Sequence, residues 1–198
     1  MTEVATGRRE DFWTLPSRRQ VTIAASLAFA LLLVRSAWLS DDAYITFRTV
    51  MNAIGGYGLR WNVADRVQTF THPLWMLVML APSFITPDVY FTSLAISIAL
   101  SMAVVAIVTG RLASSLPMAL AAVAIFGVSK SFVEYSTSGL ENALTHFLLA
   151  CFFLAQVSAL VDTHLAARQS PRLSRFGPWG LAATSFAEWP LVVLGVGG

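Results

Sequence analysis

Apolar residues fall along this chain in long blocks rather than in alternation. Residues 21–38, 89–110, 116–132, 143–161 and 177–197 each run nearly free of charge. A bilayer span needs roughly 17–25 such residues, so each block predicts a transmembrane helix. Arg35 lies near the end of the first block, where its stem can snorkel to the headgroups. Glu188 and Pro190 interrupt the last. A further block, 73–85, is apolar but short, with Pro82 inside it and Pro87-Asp88 just after. The predicted fold class is all-α: a polytopic membrane helix bundle with a long polar-rich loop, 39–88, between its first two spans.

Composition supports the same class. The chain is 56% hydrophobic and 12% charged, against about 25% charged in soluble domains, and its mean hydropathy is +0.67. A soluble globular domain is excluded, and a lipid bilayer is the expected surrounding. The net charge of +2 comes from arginine, Lys130 being the only lysine. Without a Lys/Arg run, no nucleic-acid partner is expected. The single cysteine, Cys151, rules out an intrachain disulfide and reads as a small packing residue. Arg8, Arg9, Arg18 and Arg19 precede the first block like the start of a signal peptide. No small-x-small cleavage site follows before Asp41, so an uncleaved span is expected.

Charge also orients the chain, because short cytoplasmic loops carry the excess of Lys and Arg. With the basic residues 1–20 placed in the cytoplasm, loop 39–88 is exterior. If 73–85 crossed the bilayer, Arg111 and the loop holding Arg168, Arg172 and Arg175 would fall outside. If it lies flat or re-enters on the outer side, both face the cytoplasm. The second threading is adopted, giving a multi-pass plasma-membrane protein whose polar chemistry gathers on the exterior face.

Loop 39–88 opens on an amphipathic pattern over 43–54. At 3.6 residues per turn, Phe47, Val50, Met51 and Ile54 share one side and Asp41, Arg48 and Asn52 another. Gly55, Gly56 and Gly58 end the helix, which would lie in the interface plane. Either Asp41 or Asp42 suffices as its N-cap. The other is then an acid at the membrane surface beside Arg48, a functional candidate. The stretch 61–75 is dense in hydrogen-bonding and aromatic residues, among them Asn62, Arg66, His72 and Trp75. Arginine suits a phosphate, because its fork presents paired donors. Trp75 reads as part of an interfacial aromatic belt. In the second exterior loop Ser138-x-x-Glu141 fits a capping box, which leaves the glutamate a spare oxygen to face the first loop. His146, deeper in its span, reads as a packing residue, and Lys130 pairs with Glu134 four residues on.

Four motifs occur in order: Asp41-Asp42-Ala43-Tyr44-Ile45-Thr46-Phe47-Arg48; Gly56-Tyr57-Gly58-Leu59-x-Trp61-Asn62; Arg66 through His72-Pro73-Leu74-Trp75; and Ser138-Gly139-Leu140-Glu141. Together they resemble the GT-C superfamily of polyprenyl-phosphate-sugar-dependent glycosyltransferases, and within it the terminal arabinofuranosyltransferases of the mycobacterial cell envelope. The likeness runs from about residue 21 to residue 161. It implies a GT-C-like N-terminal half, with juxtamembrane helices over 43–54 and 73–85 in the first exterior loop. It implies a polyprenyl-phosphate sugar donor, possessing arabinofuranose in the nearest members, and a cell-envelope glycan acceptor. By position, the family's catalytic base matches Asp41, with Asp42 next, and the second-loop acid matches Glu141. Arg48, Asn62, Arg66 and His72 would bind donor phosphate or acceptor. Asp41 and Glu141 could share a divalent cation, since hard cations prefer carboxylate oxygen.

The expected chemistry is a single displacement that inverts the anomeric centre: an acceptor hydroxyl attacks while the aspartate removes its proton, and an arginine stabilises the departing phosphate. Family members usually carry about twice as many spans, often followed by a soluble exterior domain. Ser185 through Pro190 also departs from the family's next segment, so the chain reads as a truncated member. Two alternatives stand beside the enzyme: a lipid-linked-sugar transporter or flippase, and a non-catalytic truncated membrane remnant. A transporter would place its ionisable residues near the bilayer midplane.

Overall fold

A computed structural model describes residues 17–64, 67 and 70–169, with side chains as far as residue 162. All regular structure among the described residues is helical. Seven α-helices follow in order: α1 (Arg18–Arg35), α2 (Ala43–Ile54), α3 (Pro73–Ser83), α4 (Val89–Ile107), α5 (Leu116–Val128), α6 (Lys130–Tyr135) and α7 (Asn142–Gln169). A π-helical turn, Val108–Leu112, ends α4. The expected fifth span, 177–197, and most of the basic N-terminal segment 1–20 lie outside the described residues.

Local chemistry sets the helix starts. Ser17 and Gln20 form a reciprocal capping box on α1: the Ser17 hydroxyl accepts from the Gln20 amide and the Gln20 side chain from the Ser17 amide. Asp88 caps α4 and Ser115 caps α5, each accepting from the amide three residues on. The block 116–132, expected as one span, is instead divided. Its α-helix ends at Val128, and the Ser129 hydroxyl caps a new short helix by accepting from the Phe132 amide.

Two ties fix the direction of the helices. Arg18 at the start of α1 donates to the Ala113 and Ser114 carbonyls at 2.8 and 3.3 Å, just before α5. Beyond the other end of α1, the Trp38 indole donates to the Glu134 carbonyl of α6 at 3.0 Å, and the Ser40 amide to the Ser138 carbonyl at 2.8 Å. Helices α1 and α5 therefore run parallel, and α4 returns between the two ends. Helix α3 spans eleven residues, about 16 Å at 1.5 Å per residue. That is roughly half the hydrocarbon thickness, so α3 cannot cross as a helix. It packs with α2 at the Ser40–Ser138 end.

Two apolar clusters hold these parts. One joins Ala43, Phe47 and Val50 of α2 to Trp75, Met76 and Met79 of α3 and Leu144 of α7. The other joins Phe29 and Leu33 of α1 to Val105, Val123 and Val133. The buried side of α2 differs from the wheel in two positions: Met51 is exposed and Thr49 is buried. The Thr49 hydroxyl turns back to the Ile45 carbonyl at 3.1 Å, which meets its hydrogen-bonding need inside the core.

Two helices among the described residues are long and apolar enough to cross a membrane by length and composition, Val89–Leu112 and Asn142–Asp162. Only 11% of the second is covered by the rest of the chain. Leu148, Leu149, Phe152, Phe153, Val157 and Val161 stand exposed along it. Monomeric soluble proteins rarely expose an apolar face of that extent. Along α4, Ser93, Ser97 and Ser101 form a buried stripe at four-residue spacing. Small residues so placed let helix backbones approach closely, as they do in bilayers.

Candidate active site

The site grows from the contact between the two polar loops. Trp75 is 2% exposed, and its indole donates to the Gly139 carbonyl at 2.9 Å. The expected belt residue is thus a core residue, because its polar handle has a buried partner. With the Ser40–Ser138 bond, this contact clasps segment 138–141 against the start of α2 and the first turn of α3. Gly139 is where the chains come closest. Its φ is +78°, and a Cβ there would lie 2.7 Å from Leu39 Cδ2 and 2.8 Å from Ala43 Cβ. Only glycine meets both demands.

This clasp also undoes the expected capping box. Ser138 sits before the positive-φ glycine, and its hydroxyl donates to the Tyr135 carbonyl at 3.2 Å rather than serving α7. The first turn of α7 instead begins on the Glu141 carbonyl, which accepts from the Thr145 amide. The Glu141 carboxylate is left for another partner: Oε1 lies 3.0 Å from His72 Nε2, with the two side chains 25% and 51% exposed. His72 is aimed by its position ahead of Pro73, which excludes the helical conformation at residue 72.

Asp42, Ile45, Thr46, Thr71, His72, Leu140 and Glu141 line a cavity of about 230 Å³. Of the expected site residues, then, three from three separate segments meet on one wall: Asp42, His72 and Glu141. Asp41 is adjacent but not on that wall. Its Oδ1 accepts from the Ser40 hydroxyl at 3.2 Å and the Asp42 amide at 3.1 Å. Asp42 begins α2 without a side-chain cap bond. Neither aspartate therefore caps through its carboxylate, and the Asp42 carboxylate remains available to the cavity.

Arg48 and Asn62 form a second group, about two turns further along α2. Arg48 Nη2 donates to Asn62 Oδ1 at 3.1 Å, and the guanidinium lies 4.4 Å from the Trp61 ring centroid. Asn52 holds this strand of loop by donating to the Arg60 and Trp61 carbonyls, both at 2.8 Å. The spacing of residues 48, 61 and 62 gave no sign of the Arg48–Trp61 stack, although an arginine near an aromatic-rich loop is the usual setting for one. Arg66 lies outside the described residues. No three His, Cys, Asp or Glu side chains among the described residues converge closely enough to hold a metal ion.

Sequence comparison bears on this arrangement. The chain is similar to a terminal beta-(1->2)-arabinofuranosyltransferase from Corynebacterium glutamicum, 30% identical over 118 residues, covering 54% of this chain and 17% of that protein. A protein of the same description from Mycobacterium tuberculosis is 28% identical over 118 residues, covering 54% of this chain and 19% of the relative. The similarity supports a relationship to these glycosyltransferases. The match spans under a fifth of either relative's length. No family model matches the chain, and no solved structure does.

Proposed function

We propose that the chain is a membrane glycosyltransferase that moves a sugar, arabinofuranose by analogy with its relatives, from a polyprenyl-phosphate donor to a glycan acceptor. The observation that carries this reading is the cavity on which Asp42, His72 and Glu141 meet. An acid, a histidine and a second acid drawn from three segments are what a hydroxyl-activating site needs. Its place at one end of the bundle, beyond the helices, suits an interfacial enzyme better than a transporter with a mid-bilayer site.

In this reading an acceptor hydroxyl enters the cavity beside Asp42. As its oxygen attacks the anomeric carbon, the proton passes to the Asp42 carboxylate and the bond from that carbon to the phosphate oxygen breaks. The polyprenyl phosphate leaves with the electron pair, and the anomeric centre inverts. Asp42 is the better base of the pair, reversing the order that position in the family implies. The Asp41 carboxylate is already engaged by the Ser40 hydroxyl and the Asp42 amide, whereas Asp42 lines the cavity with no cap bond to hold it. Asp41 then orders the turn through Ser40. Glu141 holds His72 in place, and His72 and Arg48 are the donors for the phosphate, Arg48 being kept extended by Trp61 and Asn62.

The test is transfer from radiolabelled polyprenyl-phosphate arabinose in membranes carrying the chain. Asp42→Asn should lower transfer at least a hundredfold, the usual contribution of a general base, while the protein still inserts. Asp41→Asn should lower it less. Undiminished transfer by Asp42→Asn would refute the assignment.

A further inference from the structure

A second cavity, about 250 Å³, lies on the other side of the α7 N-terminus. Ser129, Ser131, Phe132, Tyr135, Asn142 and His146 line it. Its chemistry differs from that of the first cavity: five neutral hydrogen-bonding side chains and one ring, with no charged side chain on the wall. Ser129 is engaged in capping α6. Ser131, Tyr135 and Asn142 have no side-chain partner among the described residues. The His146 ring stacks on Phe132 with centroids 4.8 Å apart. Its Nδ1 is buried without a partner, so Nε2 is the ring's remaining outlet for hydrogen bonding. Ser131 and Tyr135 are exposed, so their polar groups meet water that a ligand's hydroxyls can replace one for one; of this lining only His146 Nδ1 is buried with its hydrogen-bonding need unmet.

We propose that this cavity binds a neutral polyhydroxyl chain, and that in the transferase it is the subsite for the acceptor glycan. The assignment to acceptor rests on the function proposed above; the saccharide chemistry does not. Hydroxyls both donate and accept, which suits a wall of Ser, Tyr, Asn and His. A phosphate would want a cation here, and Lys130, the nearest in sequence, is not on the wall. The two cavities share one turn of helix: Glu141 lines the first and Asn142, the next residue, the second. A glycan held at Asn142 and Tyr135 can extend across that turn toward Asp42.

The experiment measures binding of a linear arabinofuranose tetrasaccharide to the whole chain in detergent by calorimetry, alongside transfer assays. Tyr135→Phe, which keeps the ring and removes only the hydroxyl, should weaken binding about five- to tenfold, as expected for one lost hydrogen bond of roughly 1 kcal/mol. Asn142→Ala should do so comparably, and Lys130→Gln, on the outer side of α6, should not. In transfer assays both cavity variants should raise the acceptor KM more than they lower kcat. Unchanged affinity in Tyr135→Phe and Asn142→Ala, or no binding by the unaltered chain, overturns the site. If the variants weaken binding as expected while Asp42→Asn still transfers sugar, the saccharide site stands and the assigned catalytic base falls.

Discussion

Gly139 holds a conformation and a position that no other residue could share. Gly139→Ala would force a Cβ into Leu39 and Ala43 at a positive φ, costing about 1–3 kcal/mol. Its expected signature is a lowered unfolding temperature in detergent together with loss of transfer, because Glu141 moves with the clasp. Trp75→Phe removes the donor from the buried Gly139 carbonyl and, being smaller, leaves a small void in the core. The expected loss is again about 1–3 kcal/mol, read by thermal unfolding; a variant as stable as the parent would show that the clasp does not depend on this bond. At this scale the sequence was partly legible. The polar motifs pointed to the residues that meet, but not to their geometry. Asp41 and Asp42 are neighbours on a helical turn, about 100° apart, and composition cannot tell which one faces inward. Glu141 fitted a local cap because Ser138 stands three residues before it; the positive φ at Gly139, set by distant side chains, diverts both. Trp75 looked interfacial since its partner lies 64 residues away.

Among the elements, each hydrophobic block within the described residues holds a helix, one of them divided. Helix α2 occupies Ala43–Ile54, the stretch that its amphipathic pattern and the glycines after it predict. The break between α5 and α6 leaves no mark in the hydrophobic pattern, because a single serine hydroxyl caps the new helix within an apolar run. The serine stripe of α4 also has its own consequence. Ser93, Ser97 and Ser101 hydroxyls are buried without partners, so they serve the packing of α4 through their size. Ser97→Ala should leave stability within about 0.5 kcal/mol or raise it slightly, since an unmet hydroxyl is removed. Ser97→Leu should lower it by about 1–3 kcal/mol through overpacking. Unfolding of both variants in the same detergent checks the pair, and a destabilised alanine variant would mean the hydroxyl has a bonding role.

For the whole molecule, the tie from Arg18 to Ala113 and Ser114 sets residue 111 at the opposite end from the two cavities. In a bilayer this predicts opposite accessibility. With Cys151 replaced by serine, Arg111→Cys should react with an impermeant thiol reagent only from the cytoplasmic side, and Val63→Cys only from outside. Labelling of both from one side would overturn the threading. Charge asymmetry predicts that Arg18 and Arg111 share one end of the bundle, and the Arg18 bonds to Ala113 and Ser114 bring those two segments together. It could not reveal how α2 and α3 are held over the bundle end, since that depends on contacts between residues far apart in the chain.

Two of the hydrogen bonds that join the polar loops end on carbonyl oxygens, at Ser138 and Gly139. Every amino acid carries that oxygen, so apart from the glycine the junction reads residue count rather than residue type. One amino acid inserted between positions 139 and 142 would turn α7 by about 100°. Placed before Glu141, it would turn that side chain away from His72 toward the direction Asn142 now takes, and turn Asn142 out of its own cavity. A change in the length of this short stretch would disturb all of these contacts at once.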